Sequence, residues 1–380
     1  MKRILLLLLT VIVAGCGSAT NFNEVTDLSD LEGQISAAES VALAENDRET
    51  LAKNFGLFDG LVLADGLVGL SLRLSTPQGT IASRLWLSPE CLLKRDRRLV
   101  ALVPGTLANG ADYYHVDVPG RAGFDTVRVL AKSGYCPLAV DLPGTGESDH
   151  PADAMNLRSA DNAQAVASVA RPIATILGIG RWDAYSETGT GTTAALLLAR
   201  RPDLRSLVLA SPCYTRFGPA SAQAFDPAFR AFAAVTPYFP LDPALLGLFF
   251  GMSYPDVVDG AVTGLLGPSP QAIPTGVAFN EIAEVPFTFD GTIGEFVLTD
   301  PVVAAKPAKA DALFLQGSPD FVCSELGTAE MTADYGVMGG GDATLITVPG
   351  ASHLMRFDAP FADGAENAFW SPILEFLASH

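Results

Sequence analysis

The sequence predicts an α/β fold with a doubly wound, mostly parallel sheet, and two observations carry that prediction. Short apolar runs ending at Pro/Gly turns alternate with helical stretches over residues 67–210 and again over 312–377; alternation of this kind is what parallel strands joined by crossover helices produce. Between the two blocks, residues 212–309 break the pattern with many prolines, glycines and aromatics, which marks an insertion rather than a continuation of the sheet.

Taken in order, 67–74 and 81–87 read as a strand pair, and 99–103 and 137–141 as short buried strands with a helix over 124–133 between them. A helix over about 156–177, a strand over 182–185, a helix over 192–200 and a strand over 206–210 follow. The second block supplies strands over 312–316 and 343–348 and a closing helix over 369–377. The expected organisation is a core of residues 61–211 and 310–380, with 212–309 as a cap inserted after the sixth strand. Residues 17–60 are polar, carry one amphipathic-helix pattern near 35–51, and read as a tether. The chain shows neither repeats nor a long heptad pattern, so a purely structural envelope role has little support.

Twenty-four Lys+Arg against 42 Asp+Glu give a net charge of −18, the wrong sign for nucleic acid or for adsorption to anionic lipid. No Cys-x-x-Cys and no histidine cluster occurs, so neither a metal nor a cofactor is expected.

Met1-Lys2-Arg3 precedes an apolar run over 4–13 that ends Val13-Ala14-Gly15-Cys16. A basic start, a short apolar stretch and small residues at the cleavage point make residues 1–16 an expected signal peptide, too short to span a bilayer. The Val-Ala-Gly-Cys tetrad resembles the lipobox of bacterial lipoproteins. That resemblance implies lipidation at Cys16 and anchoring of an otherwise soluble protein. With Gly17 next, it further implies the outer membrane, on the periplasmic or the surface face, if the cell is Gram-negative. Four more cysteines enter an oxidising compartment in this reading, and their even number suggests two disulfides.

Val100-Ala101-Leu102-Val103-Pro104-Gly105-Thr106 looks like the third core strand of the α/β-hydrolase family and the loop after it, with Pro-Gly where that family usually carries His-Gly; the resemblance is closest to the proline iminopeptidase and tripeptidyl aminopeptidase branch. Asp141-Leu142-Pro143-Gly144-Thr145-Gly146-Glu147-Ser148 looks like the Asp-x-x-Gly-x-Gly-x-Ser loop. Gln316-Gly317-Ser318-Pro319-Asp320 and Pro349-Gly350-Ala351-Ser352-His353 look like the loops that present the acid and the base. Their order along the chain, nucleophile then acid then histidine, is the order in which this fold supplies its triad. Asp320 is thereby the expected acid and His353 the expected base.

The nucleophile segment departs from the pattern. Family spacing to Pro202 places Thr188 where a serine is expected, with Ser186 and Thr190 at the two positions usually held by glycine. A β-branched residue is stiff at χ1 and poorly suited to a strained strand-to-helix turn, although threonine attacks when a base activates it. Three readings stand: Thr188 attacks, Ser186 attacks from a shifted turn, or neither does and Thr188, Thr190 and Thr192 merely cap the next helix. With Thr188 as nucleophile, the resemblance puts the oxyanion donors on the backbone N–H groups of Gly189 and Thr106. The implied reaction is acyl transfer to water from a small ester or short peptide substrate; the alternative is an inactive hydrolase-fold binding lipoprotein. Cap aromatics such as Phe225 and Phe250 are candidates to roof an apolar pocket, and Glu281, Glu284 and Glu295 to hold a substrate ammonium. His115 and His150 fall near pocket loops, where a loop role also fits. In this fold Cys91 and Cys136 precede neighbouring strands, while Cys213 and Cys323 share the opposite rim, so Cys91–Cys136 and Cys213–Cys323 are the expected pairs, with other pairings open.

Overall fold

The computed structural model describes residues 23–25, 62–63, 67–105, 113–116, 120–152, 157, 159–187, 189–212, 238–240, 272–274, 310–318, 328–329, 331–333, 335, 341–351, 353–357, 359–362 and 367–380. Twelve strands appear among them: β1 (Asn23–Val25), β2 (Val62–Leu63), β3 (Leu67–Thr76), β4 (Gly79–Leu87), β5 (Leu99–Val103), β6 (Cys136–Val140), β7 (Trp182–Glu187), β8 (Leu204–Ala210), β9 (Tyr238–Pro240), β10 (Ala272–Pro274), β11 (Asp311–Ser318) and β12 (Ala343–Pro349). The helices are α1 (Pro89–Leu93), α2 (Thr126–Lys132), α3 (Ser159–Ile176), α4 (Gly189–Leu198), α5 (Ala359–Ala362) and α6 (Trp370–Ser379), with 3₁₀ turns at Ala122–Phe124 and Met355–Phe357.

Eight strands form the core in the order β3-β4-β6-β5-β7-β8-β11-β12. From β6 to β12 all neighbours run parallel, whereas β4 is antiparallel to both β3 and β6. The expected doubly wound sheet is therefore present. Short β1 and β2 extend its free edge by pairing with β3, so part of the stretch expected as a tether contributes an edge strand. The amphipathic pattern near 35–51 lies outside the described residues, as do Cys16, Thr106, Thr188, Cys213, Asp320, Cys323 and most of the cap. Within the cap only β9 and β10 are described, paired antiparallel.

The central strands follow from their composition. Leu99–Val103 and Cys136–Val140 are buried at every position, as strands covered on both faces must be. Apolar residues of α3 and α4, such as Val166, Ile173 and Leu198, cover one face. Val127 and Leu130 of α2 with Trp370 and Ile373 of α6 cover the other. Ser88 caps α1 by accepting from Cys91 N–H at 3.0 Å, and Asp125 caps α2 through Arg128 N–H at 2.9 Å. Cys91 and Cys136 form the expected disulfide, Cα atoms 5.6 Å apart, joining α1 to the start of β6.

The glycine loop after β6 is a structural bolt. Gly144 and Gly146 have φ of 81° and 53°, the left-handed region that glycine enters without a Cβ clash. Ser148 Oγ donates to Asp141 O at 2.7 Å and accepts from Ala82 N–H at 2.9 Å, while Asp149 accepts from Thr80 N–H at 2.7 Å. These bonds pin the loop to the β3–β4 hairpin.

Candidate active site

β7 carries the site because its six residues are buried and alternate between two environments. Trp182 and Ala184 belong to the layer under α3 and α4, and Tyr185 to the opposite layer. The strand runs two residues further than the sequence suggests, to Glu187, and α4 opens three residues earlier, at Gly189. The single residue between strand and helix is Thr188.

Ser186 is a strand residue and not part of the turn. It pairs with Val103 on one side and Leu209 on the other, is 0% exposed, and its hydroxyl has no hydrogen-bond partner among the described residues. A Cβ at position 191 would lie 2.4 Å from Ser186 Oγ, 2.5 Å from Pro104 O and 2.8 Å from Val103 O. This junction therefore needs a glycine at Gly191, crowded by the Ser186 side chain and by two backbone carbonyls at the end of β5. Thr192 is buried inside α4 with its hydroxyl unpartnered among the described residues, so it does not cap the helix as the third reading of the nucleophile segment would have it.

Glu187 faces the other way. Its Oε2 accepts from the Tyr113 hydroxyl at 2.5 Å, its Oε1 accepts from the Tyr185 hydroxyl, and Arg356 Nε donates to the same Oε1 at 2.7 Å. Arg356 also donates from Nη1 to Phe124 O at 2.7 Å and from Nη2 to Tyr113 O at 3.0 Å, with its guanidinium 4.0 Å from the Phe357 ring centroid. Burial is the largest influence on Arg356 and opposes its charge, but Glu187, Tyr113 and Tyr185 together outweigh it and hold the guanidinium above its ordinary pKa. Burial first, and the Glu187 charge second, push the Tyr113, Tyr114 and Tyr185 hydroxyls above the usual tyrosine range. Tyr114 donates to Val103 O at 2.7 Å, tying this cluster to the end of β5.

The histidine loop leaves the C-terminal end of β12. Gly350 N–H donates to Ser318 O at 2.6 Å, joining it to the end of β11, two residues before Asp320. His353 is 6% exposed, and its carbonyl accepts from Ser211 Oγ at 2.5 Å. Ser211 follows β8 with φ of +48°, an uncommon conformation for a residue with a Cβ. The acid-side segment is also anchored: Thr328 Oγ1 donates to Gln316 Oε1 at 2.6 Å. Asp320 itself is outside the described residues.

His115 and His150 have local bonding partners. His115 Nδ1 lies 2.8 Å from Asp125 Oδ2 with its ring against Trp86, and His150 Nδ1 lies 2.8 Å from Ser148 O. Among the described residues no cluster of three His, Cys, Asp or Glu groups could hold a metal. Glu187 and Arg356 escaped sequence reasoning because 169 positions separate them; the one local signal was an arginine set between apolar neighbours, Met355 and Phe357.

No protein-family model matches this chain, and no curated protein matches it in sequence. Solved structures do resemble it. A monoacylglycerol lipase of Paleococcus ferrophilus is 20% identical, over 75% of this chain and 95% of that one, with a TM-score of 0.50. An E-2-(acetamidomethylene)succinate hydrolase is 18% identical over 82% of this chain and 99% of that one, TM-score 0.50. A thioesterase domain from the curacin biosynthetic pathway is 16% identical over 81% of this chain and 99% of that one, TM-score 0.52. Strand order, the lone antiparallel second strand of the core and these likenesses agree: the chain has the α/β-hydrolase fold.

Proposed function

We propose that this chain is an exported, lipid-anchored hydrolase that cleaves ester or amide bonds by acyl transfer, with Thr188 as nucleophile, His353 as base and Asp320 as its orienting acid. The observation that carries it is the junction of β7 and α4. With Ser186 and Glu187 in the strand and Gly189 in the helix, Thr188 alone falls at the strand-to-helix turn, and Glu187 beside it is bonded to the loop that bears His353. Attack by the Thr188 oxygen would pass its proton to His353, which would return it to the departing alcohol or amine as the scissile bond breaks and the acyl-enzyme forms; water, deprotonated by the same histidine, would then release the acid and restore the Thr188 hydroxyl. Asp320 would fix the imidazole tautomer, and the N–H groups of Gly189 and Thr106 would receive the developing oxyanion.

Ester cleavage is the first chemistry to test, since a lipase and a thioesterase domain stand among the structural neighbours. Aminoacyl amides come second, on the resemblance to the iminopeptidase branch. A disulfide between Cys91 and Cys136 fits an oxidising compartment, and with it the export and Cys16 lipidation that the leader suggests.

The test is labelling of the soluble protein, lacking residues 1–16, with a fluorophosphonate probe, followed by mass spectrometry of the modified peptide. Modification at Thr188 that disappears in His353→Ala is the expected result. Modification at Ser186 would overturn the assignment of the nucleophile. No labelling, together with no hydrolysis of ester or aminoacyl amide panels, would leave the inactive binding lipoprotein as the better description.

A further inference from the structure

We propose that Glu187 and Arg356 are a positioning pair that fixes the histidine loop against the nucleophile turn, a role that rests on the acyl-transfer function above. Glu187 immediately precedes Thr188, and Arg356 is three residues after His353, so the 2.7 Å bond between them spans the two segments whose separation determines proton transfer. The same guanidinium grips Phe124 O and Tyr113 O, and the same carboxylate takes the Tyr113 and Tyr185 hydroxyls. Four segments of chain thus meet on one planar fork, whose fixed geometry leaves little freedom of angle.

Stability alone is a poor reason for this arrangement. Both side chains are almost fully buried, 1% exposed for Arg356 and 5% for Glu187, and apolar residues of equal volume commonly replace a buried ion pair without loss. What a buried network with each guanidinium nitrogen bonded to a different segment supplies that apolar packing does not is a single geometry. In acyl transfer, misplacement of a catalytic group by about 1 Å can cost on the order of 100-fold in rate. Glu187 is 5% exposed and its carboxylate holds Arg356 and two tyrosine hydroxyls, which makes it a support for the loop.

The decisive experiment compares wild type with Arg356→Met and with Glu187→Gln/Arg356→Met, in the soluble protein lacking residues 1–16. It reads ester turnover, the fluorophosphonate labelling rate, and amide hydrogen exchange over residues 351–357. The single variant leaves a buried carboxylate without its cation and is expected to lower the unfolding midpoint. The neutral double variant should recover most of that midpoint. Its kcat and labelling rate should nevertheless stay at least tenfold down with KM within twofold of wild type, and exchange over 351–357 should rise at least tenfold. A double variant with wild-type turnover and wild-type exchange would overturn the proposal and leave the pair as packing. If wild type itself neither turns over ester or aminoacyl amide nor takes the probe, the acyl-transfer function fails. The exchange rates then decide the pair separately: unchanged exchange in the double variant overturns it, and raised exchange sustains its hold on the loop.

Discussion

The hydroxyl of Ser211 donates to the carbonyl oxygen of His353 at 2.5 Å, from a residue whose own φ is +48°. A side chain at positive φ costs about 1–2 kcal/mol, and one neutral hydrogen bond returns about 0.5–1.5 kcal/mol. Ser211→Gly removes both contributions and should leave stability nearly unchanged, while Ser211→Ala keeps the strain without the bond and should be about 1 kcal/mol less stable than the glycine variant. Urea unfolding of the three proteins checks the order. If the histidine loop depends on this bond, both variants should also lose several-fold in ester turnover.

Gly191→Ala should be strongly destabilising. The new methyl would meet Ser186 Oγ, Pro104 O and Val103 O at 2.4, 2.5 and 2.8 Å, and overpacking of this kind typically costs about 1–3 kcal/mol. Adding Ser186→Gly removes one of the three contacts, and two of them are backbone. The double variant should therefore recover part of the loss, and full recovery in a denaturation curve would contradict the crowding at β5.

Loss of the Cys91–Cys136 bridge should be measurable without touching the site. The cysteines are 45 positions apart, and closing a loop of that length restricts the unfolded chain by about 4 kcal/mol on a chain-entropy account. Cys91→Ala/Cys136→Ala should lower unfolding stability by roughly that amount while fluorophosphonate labelling of the folded protein persists. A loss under about 1 kcal/mol would count against the entropic mechanism.

Alkaline stability should report the Glu187 cluster. Tyr113, Tyr114 and Tyr185 are held above the ordinary tyrosine pKa, by burial first and by Glu187 second. A raised pKa means the contribution is full below about pH 10 and is lost as pH rises beyond it, because the unfolded chain releases protons that the folded one keeps. Each such tyrosine steepens the fall by about 1.4 kcal/mol per pH unit. Tyr113→Phe should reduce that slope by one such increment between pH 10.5 and 12 in unfolding curves, whatever its effect at pH 7.

The sheet was legible because Leu99–Val103, Cys136–Val140 and Leu204–Ala210 are apolar runs cut off by turns, a pattern that survives in one dimension. Cys91–Cys136 was legible for a related reason, since adjacent parallel strands bring their preceding residues together. The end of β7 was not. Ser186 and Glu187 are polar residues buried by a crowded junction and by an arginine far along the chain, and local polarity argues for a turn where tertiary contacts impose a strand. Ser211 escaped for the same reason: its role is a single bond to a loop 142 positions away.

Asp183 at the start of β7 receives a bidentate bond from Arg98, at 2.9 and 2.7 Å, and Arg98 also donates to the carbonyl of Leu377 on α6. Glu187 at the other end of the strand is held by Arg356. The strand that leads to Thr188 is thus moored at both ends, and each mooring involves the segment after β12. A chain folding from its N-terminal side can pair β5, β6, β7 and β8 early, but Glu187 has no cation until residues 353–357 arrive, and Arg98 lacks one of its acceptors until α6 docks. The proposed centre, assembled this way, stays incomplete until the late-sequence elements close over it, so the hydrolytic competence proposed above would arrive together with completion of the fold.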